Sequence, residues 1–145
     1  MKVASFEFEY DTPGEFELVE ITDKVEEAVA KAGVTNGMAC ISSEHTTAGI
    51  LINEHEEGFF SDLKEALRRL APKDMHYKHN DLRHRKAQPG EPRNGHSHIL
   101  SSLISASQTL PIIEGKLKLG AWQSIFLIEL DSARFRRITV TVIGE

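Results

Sequence analysis

Histidine side chains are concentrated between residues 76 and 98. Five of the chain's 7 histidines lie there: His76, His79, His84, His96 and His98. Neutral imidazole is the commonest metal ligand in proteins, and nearby carboxylates such as Asp81 complete a set suited to zinc or a similar divalent ion. His96 and His98 would chelate together on an extended segment but diverge on a helix, so the role of His96 stays open. The stretch predicts a metal or anion site.

A second polar cluster interrupts two apolar strands at residues 42–49, which read Ser-Ser-Glu-His-Thr-Thr-Ala-Gly. His45 has the chemistry of a general base or a metal ligand. The hydroxyls of Thr46 and Thr47, with adjacent backbone N–H groups, suit the oxygens of a phosphate. The alternative is an ordinary β-turn whose hydroxyls bond to the backbone.

Further candidates lie outside these two clusters. Asn53 and Glu54 end the next strand, and Glu54 either contributes to a site or only begins a helix, where a negative charge is favourable. Gln123 follows Trp122 on an apolar segment, where its amide either orients a substrate or bridges strands. Cys40 stands in an apolar strand, and such a cysteine is usually a small core residue.

Composition narrows the class of protein. The chain has 145 residues and a net charge of −5, so we expect one domain, 1–145, and no binding of nucleic acid, whose phosphates require a basic face. No apolar run is long enough to span a membrane, and the N-terminus turns acidic too early for a signal peptide. A single cysteine excludes an intrachain disulfide and fits a cytoplasmic location.

The elements that must position these residues are predicted from periodicity. Residues 3–10 alternate as a half-buried strand, which we expect to form a hairpin with a strand over residues 16–21. Apolar stripes predict helices over 24–32, 56–71 and 97–107, and an apolar central strand is predicted over 122–130. A long polar loop runs from Pro72 to Asn94. Strands without a regular βαβ rhythm favour an α+β fold, with a mainly antiparallel, sandwich-like sheet packed with about three helices.

Five blocks of residues resemble one known family, in order and over nearly the whole chain. They are Ser43–Ile50, Ile52–Glu54, His79–Asp81, Asn94–His98 and Leu119–Gln123. On these blocks the chain resembles the YjbQ-like family, described as secondary thiamine-phosphate synthase.

The resemblance implies a weak synthase activity that joins hydroxymethylpyrimidine diphosphate to thiazole phosphate with loss of diphosphate. It also implies a homo-oligomer, a trimer or a dimer of trimers, and a divalent metal ion, with zinc the first candidate. His45, His79 and His98 would bind the metal, while His45 and Asp81 would be catalytic. The residues expected to bind the phosphorylated substrate are Thr46, Thr47, Asn53, Glu54 and Gln123. The basic run at residues 83–86 departs from the family's pattern.

Two other functions fit the same residues. One is a binding module for a metal or phosphate ligand without turnover, and the other is a metal-dependent hydrolase that uses a metal-bound water. Because the polar loop is too poor in apolar residues to order itself, we expect the site to lie at or near a subunit interface.

Overall fold

In the computed structural model, residues 1–83 and 85–145 are described, and the expectation for His84 lies outside them. The described part of the chain forms eight strands, three α-helices and a short 3₁₀ helix. The strands are β1 (Lys2–Asp11), β2 (Leu18–Glu20), β3 (Gly37–Ser43), β4 (Ala48–Asn53), β5 (Ser107–Ile113), β6 (Lys116–Leu117), β7 (Ser124–Glu129) and β8 (Phe135–Gly144). The α-helices are α1 (Thr22–Ala32), α2 (Glu57–Leu70) and α3 (Gly95–Ile104), and the 3₁₀ helix spans Lys78–Asn80.

The strands form two antiparallel sheets. The large sheet has the order β1-β8-β3-β5-β6, and the small sheet has the order β2-β7-β4. The expected α+β fold with antiparallel, sandwich-like sheets and three α-helices is confirmed.

The main core lies between the two sheets and α1. Val25 and Val29 of α1 contribute to it, together with buried residues of both sheets such as Ile41, Ile50 and Leu127. A second cluster, which includes Leu67 of α2 and Leu100 of α3, packs against the small sheet. The small sheet is therefore covered on both faces, whereas the large sheet packs on one face and leaves the other face exposed.

Two expectations about the strands are wrong. The predicted hairpin does not form, because β1 pairs with β8 and β2 pairs with β7 of the other sheet. Trp122 precedes β7 instead of beginning it, and 76% of its surface is exposed. β7 is nevertheless the central strand of the small sheet.

The third helix begins and ends earlier in the chain than the predicted range of 97–107. α3 begins at Gly95 and ends at Ile104, because Ser105 has a φ of 94° and turns the chain into β5. Residues 105–107 therefore belong to a turn and a strand.

None of the helices in the two described segments is long and apolar enough to cross a membrane.

Candidate functional site

The two polar clusters meet at one cavity of about 350 Å³, here called the histidine cavity. It is lined by Glu44, His45, Thr46, Thr47, Glu91, Pro92, Asn94, His98, Arg134 and Arg136. The loop between β3 and β4 supplies one wall, and the polar loop with the start of α3 supplies the opposite wall. His45, Thr46, Thr47 and His98, which the family resemblance groups together, thus line the same cavity.

The imidazole of His45 is fixed by the backbone of β8. The N–H of Arg137 donates to Nε2 of His45 over 2.8 Å. Because a backbone N–H can only donate, Nε2 must carry a lone pair, and the proton of the neutral ring is on Nδ1. Burial, followed by the positive charge of Arg136, holds the pKa of His45 below its ordinary value. His45 is therefore a neutral ring that offers an N–H donor.

The hydroxyl of Thr47 is oriented by a buried ion pair. Nη2 of Arg136 donates to Oγ1 of Thr47 over 2.9 Å and to its carbonyl oxygen over 3.1 Å. Nε of Arg136 donates to Glu129 Oε2 over 2.8 Å, and the Thr12 hydroxyl donates to the same oxygen. Since Oγ1 of Thr47 already accepts, its own O–H remains to donate.

His98 lies against His79, with ring centroids 4.3 Å apart. Burial first, and the charge of His79 second, lower the pKa of His98, so its ring is neutral at pH 7. No hydrogen bond to the His98 ring comes from residues 1–83 or 85–145. Its nitrogens are thus available to accept a proton or to bind a ligand.

A chain of hydrogen bonds holds the His79 ring in place. Nε2 of His79 lies 3.2 Å from Oδ1 of Asn94, and Nδ2 of Asn94 donates to Asp131 over 2.7 Å. Asp131 also pairs with Arg134. Asn94 thus links the polar loop to the turn before β8.

Two glycines allow the walls to approach each other. A Cβ at Gly95 would lie 2.6 Å from Cβ of Tyr77, and one at Gly49 would lie 2.8 Å from the Ile104 side chain. The N–H of Gly95 also donates to Oδ1 of Asn80 over 2.9 Å. These close approaches explain why glycine stands in both polar motifs.

The predicted metal ligands do not form a three-ligand site within one chain. Across the described ranges, no group of three or more His, Cys, Asp or Glu side chains is arranged to hold a metal ion. Nε2 of His45 and Nε2 of His79 are both engaged by protein groups. Of these three histidines, only His98 has no ring nitrogen hydrogen-bonded to the described residues.

Asp81 lies apart from the histidine cavity. It lines a neighbouring cavity of about 520 Å³, where Arg83 donates to both of its carboxylate oxygens over 2.9 Å. The same hydrogen bonds hold the pKa of Asp81 below its ordinary value. His96 is buried, and its Nε2 lies 2.8 Å from the carboxylate of Glu15. The structure thus separates His96 from His98, as expected for a pair at the start of a helix.

The remaining predicted residues form a second surface cavity of about 380 Å³, here called the tryptophan cavity. It is lined by Ile52, Asn53, Glu54, Trp122 and Gln123. Because β4 pairs with β7 along Ala48–Asn53, the two cavities lie at opposite ends of the small sheet, roughly 17 Å apart at about 3.3 Å per residue.

Sequence reasoning missed the ion pair of Arg136 and Glu129 and the amide of Asn94. The available signal was Glu129 at the end of the apolar strand β7 and an arginine at a core-facing position of β8, because a buried charge is tolerated only when it is paired. Arg134 and Asp131, in the turn between those strands, carried no such signal.

Two antiparallel sheets with polar loops meeting at a histidine-lined cavity define an α+β protein with a surface site. A family model described as "UPF0047 protein YjbQ-like" matches residues 6–145. The chain therefore belongs to the YjbQ-like UPF0047 family.

Curated relatives match over most of their length. A UPF0047 protein of Methanothermobacter thermautotrophicus is 38% identical over 145 residues, covering 100% of this chain and 95% of that protein. The UPF0047 protein YugU of Bacillus subtilis is 34% identical and covers 88% of this chain and 90% of its own.

Solved structures share the fold. A YbjQ-like protein of unknown function from Sulfolobus solfataricus has a TM-score of 0.91 at 39% identity, with 99% of both chains covered. An uncharacterised protein of the YjbQ/UPF0047 family from Clostridium acetobutylicum has a TM-score of 0.83 at 37% identity, covering 95% of this chain and 99% of that chain.

Proposed function

We propose that this chain is an enzyme that binds a phosphorylated small molecule in the histidine cavity. The observation that supports this best is the hydrogen-bonding state of His45 and Thr47. Protein donors already occupy Nε2 of His45 and Oγ1 of Thr47, which leaves an imidazole N–H and a hydroxyl O–H to donate. Phosphate oxygens only accept, so convergent donors favour an anionic phosphate over a cation.

The reaction we propose is the coupling of hydroxymethylpyrimidine diphosphate with thiazole phosphate. The carbon–oxygen bond to the diphosphate breaks and its electron pair leaves with the diphosphate, while the thiazole nitrogen uses its lone pair to form the new carbon–nitrogen bond. No proton has to be removed from either substrate. The protein's task is to hold the two substrates together and to stabilise the charge that develops on the leaving diphosphate. His45 and Thr47 are the donors suited to that task.

The test is a coupling assay that measures thiamine phosphate and released diphosphate by mass spectrometry. Thr47→Val keeps the side-chain shape but removes the hydroxyl, so the rate should fall about 100-fold, as when one donor to a developing anion is lost. Thr47→Ser retains the hydroxyl and is the matched control. If wild-type protein forms no more product than Thr47→Val, the synthase proposal is wrong. Diphosphate binding without product would instead identify a binding module.

Hydrolysis of a phosphorylated substrate is a second candidate, favoured by the neutral, unpartnered ring of His98. Such a ring can take a proton from an attacking water, whereas the coupling reaction needs no base. His98→Gln should therefore abolish phosphate release from a panel of phosphomonoesters but leave coupling nearly unchanged. If His98→Gln lowered the coupling rate as much as the rate of phosphate release, His98 would not act as a base specific to hydrolysis. That result would count against the hydrolase.

We also propose that a divalent metal ion, with zinc the first to test, binds at His98 together with a ligand from outside a single chain. Support comes from the neutral state of His98, since neutral imidazole is the form that binds zinc. Metal analysis of purified wild-type protein and His98→Gln provides the measurement. Metal bound to the wild type alone would support the proposal, and no uptake at saturating zinc would refute it.

The partner we propose is a second copy of this chain, in the trimer that the family resemblance implies. The large sheet carries exposed Val3, Ile143 and Met38 side by side on adjacent strands β1, β8 and β3. Farther along β8, Thr139 donates to Glu44 over 2.8 Å, and Glu44 lines the histidine cavity. A copy seated on this sheet face would thus reach the mouth of the cavity.

A further inference from the structure

We infer that Arg136 contacts the substrate directly, as a third hydrogen-bond donor to the anion in the histidine cavity. The inference rests on the proposed binding of a phosphorylated molecule there. It makes Arg136 a catalytic residue in its own right, in addition to its role of orienting Thr47.

The guanidinium of Arg136 is almost completely buried, yet it borders the cavity. The residue is 3% exposed and occupies a core-facing position of β8. Nε and Nη2 donate to the two carboxylate oxygens of Glu129, and Nη2 also donates to Thr47. These contacts occupy one side of the planar group and fix its orientation.

The remaining nitrogen of this guanidinium, Nη1, has no protein partner. Nothing in residues 1–83 or 85–145 accepts from its two N–H groups. Nη1 also keeps contact with solvent, because the fully buried side-chain atoms without a partner in these ranges are Tyr10 Oη, His96 Nδ1 and Arg137 Nε. The histidine cavity is the opening that Arg136 lines. An unpaired donor on a buried side chain therefore remains for an acceptor that enters this cavity.

Nη1 is a close neighbour of the other donors of the cavity. Nη2 lies 2.9 Å from Oγ1 of Thr47, and Nη1 is bonded to the same carbon atom as Nη2. The backbone N–H of the next residue, Arg137, donates to Nε2 of His45. An anion that accepts from the Thr47 hydroxyl through one oxygen can thus accept from Nη1 through a second oxygen, as the several oxygens of a phosphate allow.

The pairing with Glu129 determines what Arg136 contributes. Glu129 is fully buried and balances the guanidinium charge, so Nη1 offers directed hydrogen bonds with little net positive charge. Arg134 also lines the cavity, but its side chain is 36% exposed and pairs with Asp131. Donors that are fixed before the substrate arrives stabilise a developing negative charge best. Among the two guanidinium groups, the fixed one is that of Arg136.

The test is a double-mutant cycle with inorganic phosphate, measured by calorimetry on the full chain. Arg136→Lys keeps a positive charge beside Glu129, but a single ammonium group cannot replace the planar fork and its Nη1. This change should weaken phosphate binding at least about tenfold, both in the wild type and in Thr47→Val, because Nη1 contacts the anion independently of Thr47. Arg69→Lys, at an exposed arginine of α2, is the matched control and should bind like the wild type.

NMR of the wild-type chain gives a second readout that does not depend on the folding of a variant. With isotope-labelled arginine, the guanidinium signals of Arg136 should shift saturably as phosphate is added. The midpoint should equal that of the ring signals of His45, since both groups would contact one anion.

Three outcomes decide the inference. If Arg136→Lys causes no further loss in the Thr47→Val background, Arg136 only holds Thr47 in place and the inference is wrong. It is also wrong if the guanidinium signals of Arg136 stay unchanged while those of His45 respond, or if the wild type shows no saturable binding at all. Phosphate binding with both expected responses, but without any coupling product, would refute the proposed reaction and still support the contact.

Discussion

The imidazole of His98 is half-buried in a wall of the histidine cavity, and the ring of His79 packs against it at an interplanar angle of 52°. Burial is the larger cause of its lowered pKa, and the charge of His79 is the next. His79→Gln should therefore raise the pKa of His98 part of the way towards its ordinary value of about 6.5. An NMR titration of the ring protons checks this, with the exposed His76→Gln as the control. No movement in His79→Gln would mean that burial alone sets the pKa.

The lowered pKa of His98 also makes the stability of the folded chain depend on pH. Because the pKa of His98 is lower in the folded chain than in the unfolded chain, the unfolded chain binds more protons between these two values. The free energy of unfolding should thus fall as the pH is lowered from about 6.5 towards the folded pKa. Urea unfolding at several pH values should show a smaller dependence in His98→Gln, and an unchanged dependence would contradict this account.

The ion pair of Arg136 and Glu129 is the costliest polar contact of the site to break. Glu129 is fully buried and Arg136 nearly so, so Glu129→Gln leaves a buried, uncompensated guanidinium. We expect a loss of about 3–5 kcal/mol in the free energy of unfolding. Glu9→Gln breaks the exposed pair with Arg137 and should cost less than about 1 kcal/mol. If urea unfolding showed that the two variants lose equal amounts of free energy of unfolding, this ranking would be wrong.

At the scale of secondary structure, the start of α3 depends on a close contact with the 3₁₀ helix region. A Cβ at Gly95 would overlap Cβ of Tyr77, so Gly95→Ala should destabilise the chain by about 1–3 kcal/mol even though alanine favours helices. Gly14→Ala meets no atom within 4 Å and is the control. If thermal unfolding of Gly95→Ala matched that of Gly14→Ala, the contact would not limit the approach of the two segments.

Periodicity was enough to predict α1, α2 and most strands, because each presents one apolar face to a core. It could not predict which strands pair, since β1 reaches a partner at the other end of the chain while sequence favours a local hairpin. Trp122 was misassigned for a related reason: its apolar character suited a strand, and only the turn before β7 exposes it.

For the site, residue chemistry marked His45, Thr46, Thr47 and His98 as candidates, and the family resemblance grouped them; the structure places all four around one cavity. It could not show that Nε2 of His45 is occupied, because that hydrogen bond comes from a backbone N–H on β8. Nor could spacing show that the 3₁₀ helix would direct Asp81 into a different cavity.

At the scale of the whole molecule, the exposed face of the large sheet provides a test of the proposed trimer. Met38 is 53% exposed in the single chain, so Met38→Glu should be tolerated in a monomer but should prevent a second copy from docking. Light scattering should show the proposed trimer for the wild type and a folded monomer for Met38→Glu. Leu70→Glu, at an exposed position of α2 outside this face, should behave like the wild type.

If the proposed trimer is lost, the candidate site should be affected as well. Once the neighbouring copy is absent, the polar loop over 72–94 should become the first place that a protease cuts. A Met38→Glu monomer that resists cleavage there as well as the wild type would show that the loop is ordered by its own chain.

The central position of β8 in the large sheet has a consequence for how the protein is made. β8 lies between β1 and β3, yet it is synthesised after the other seven strands described here. Until β8 emerges, β1 and β3 carry open edges, which invite aggregation, so the nascent chain should need protection up to that point. A chain truncated after Arg134 should show no cooperative unfolding by circular dichroism, and a cooperative transition would mean that the small sheet and helices fold without β8.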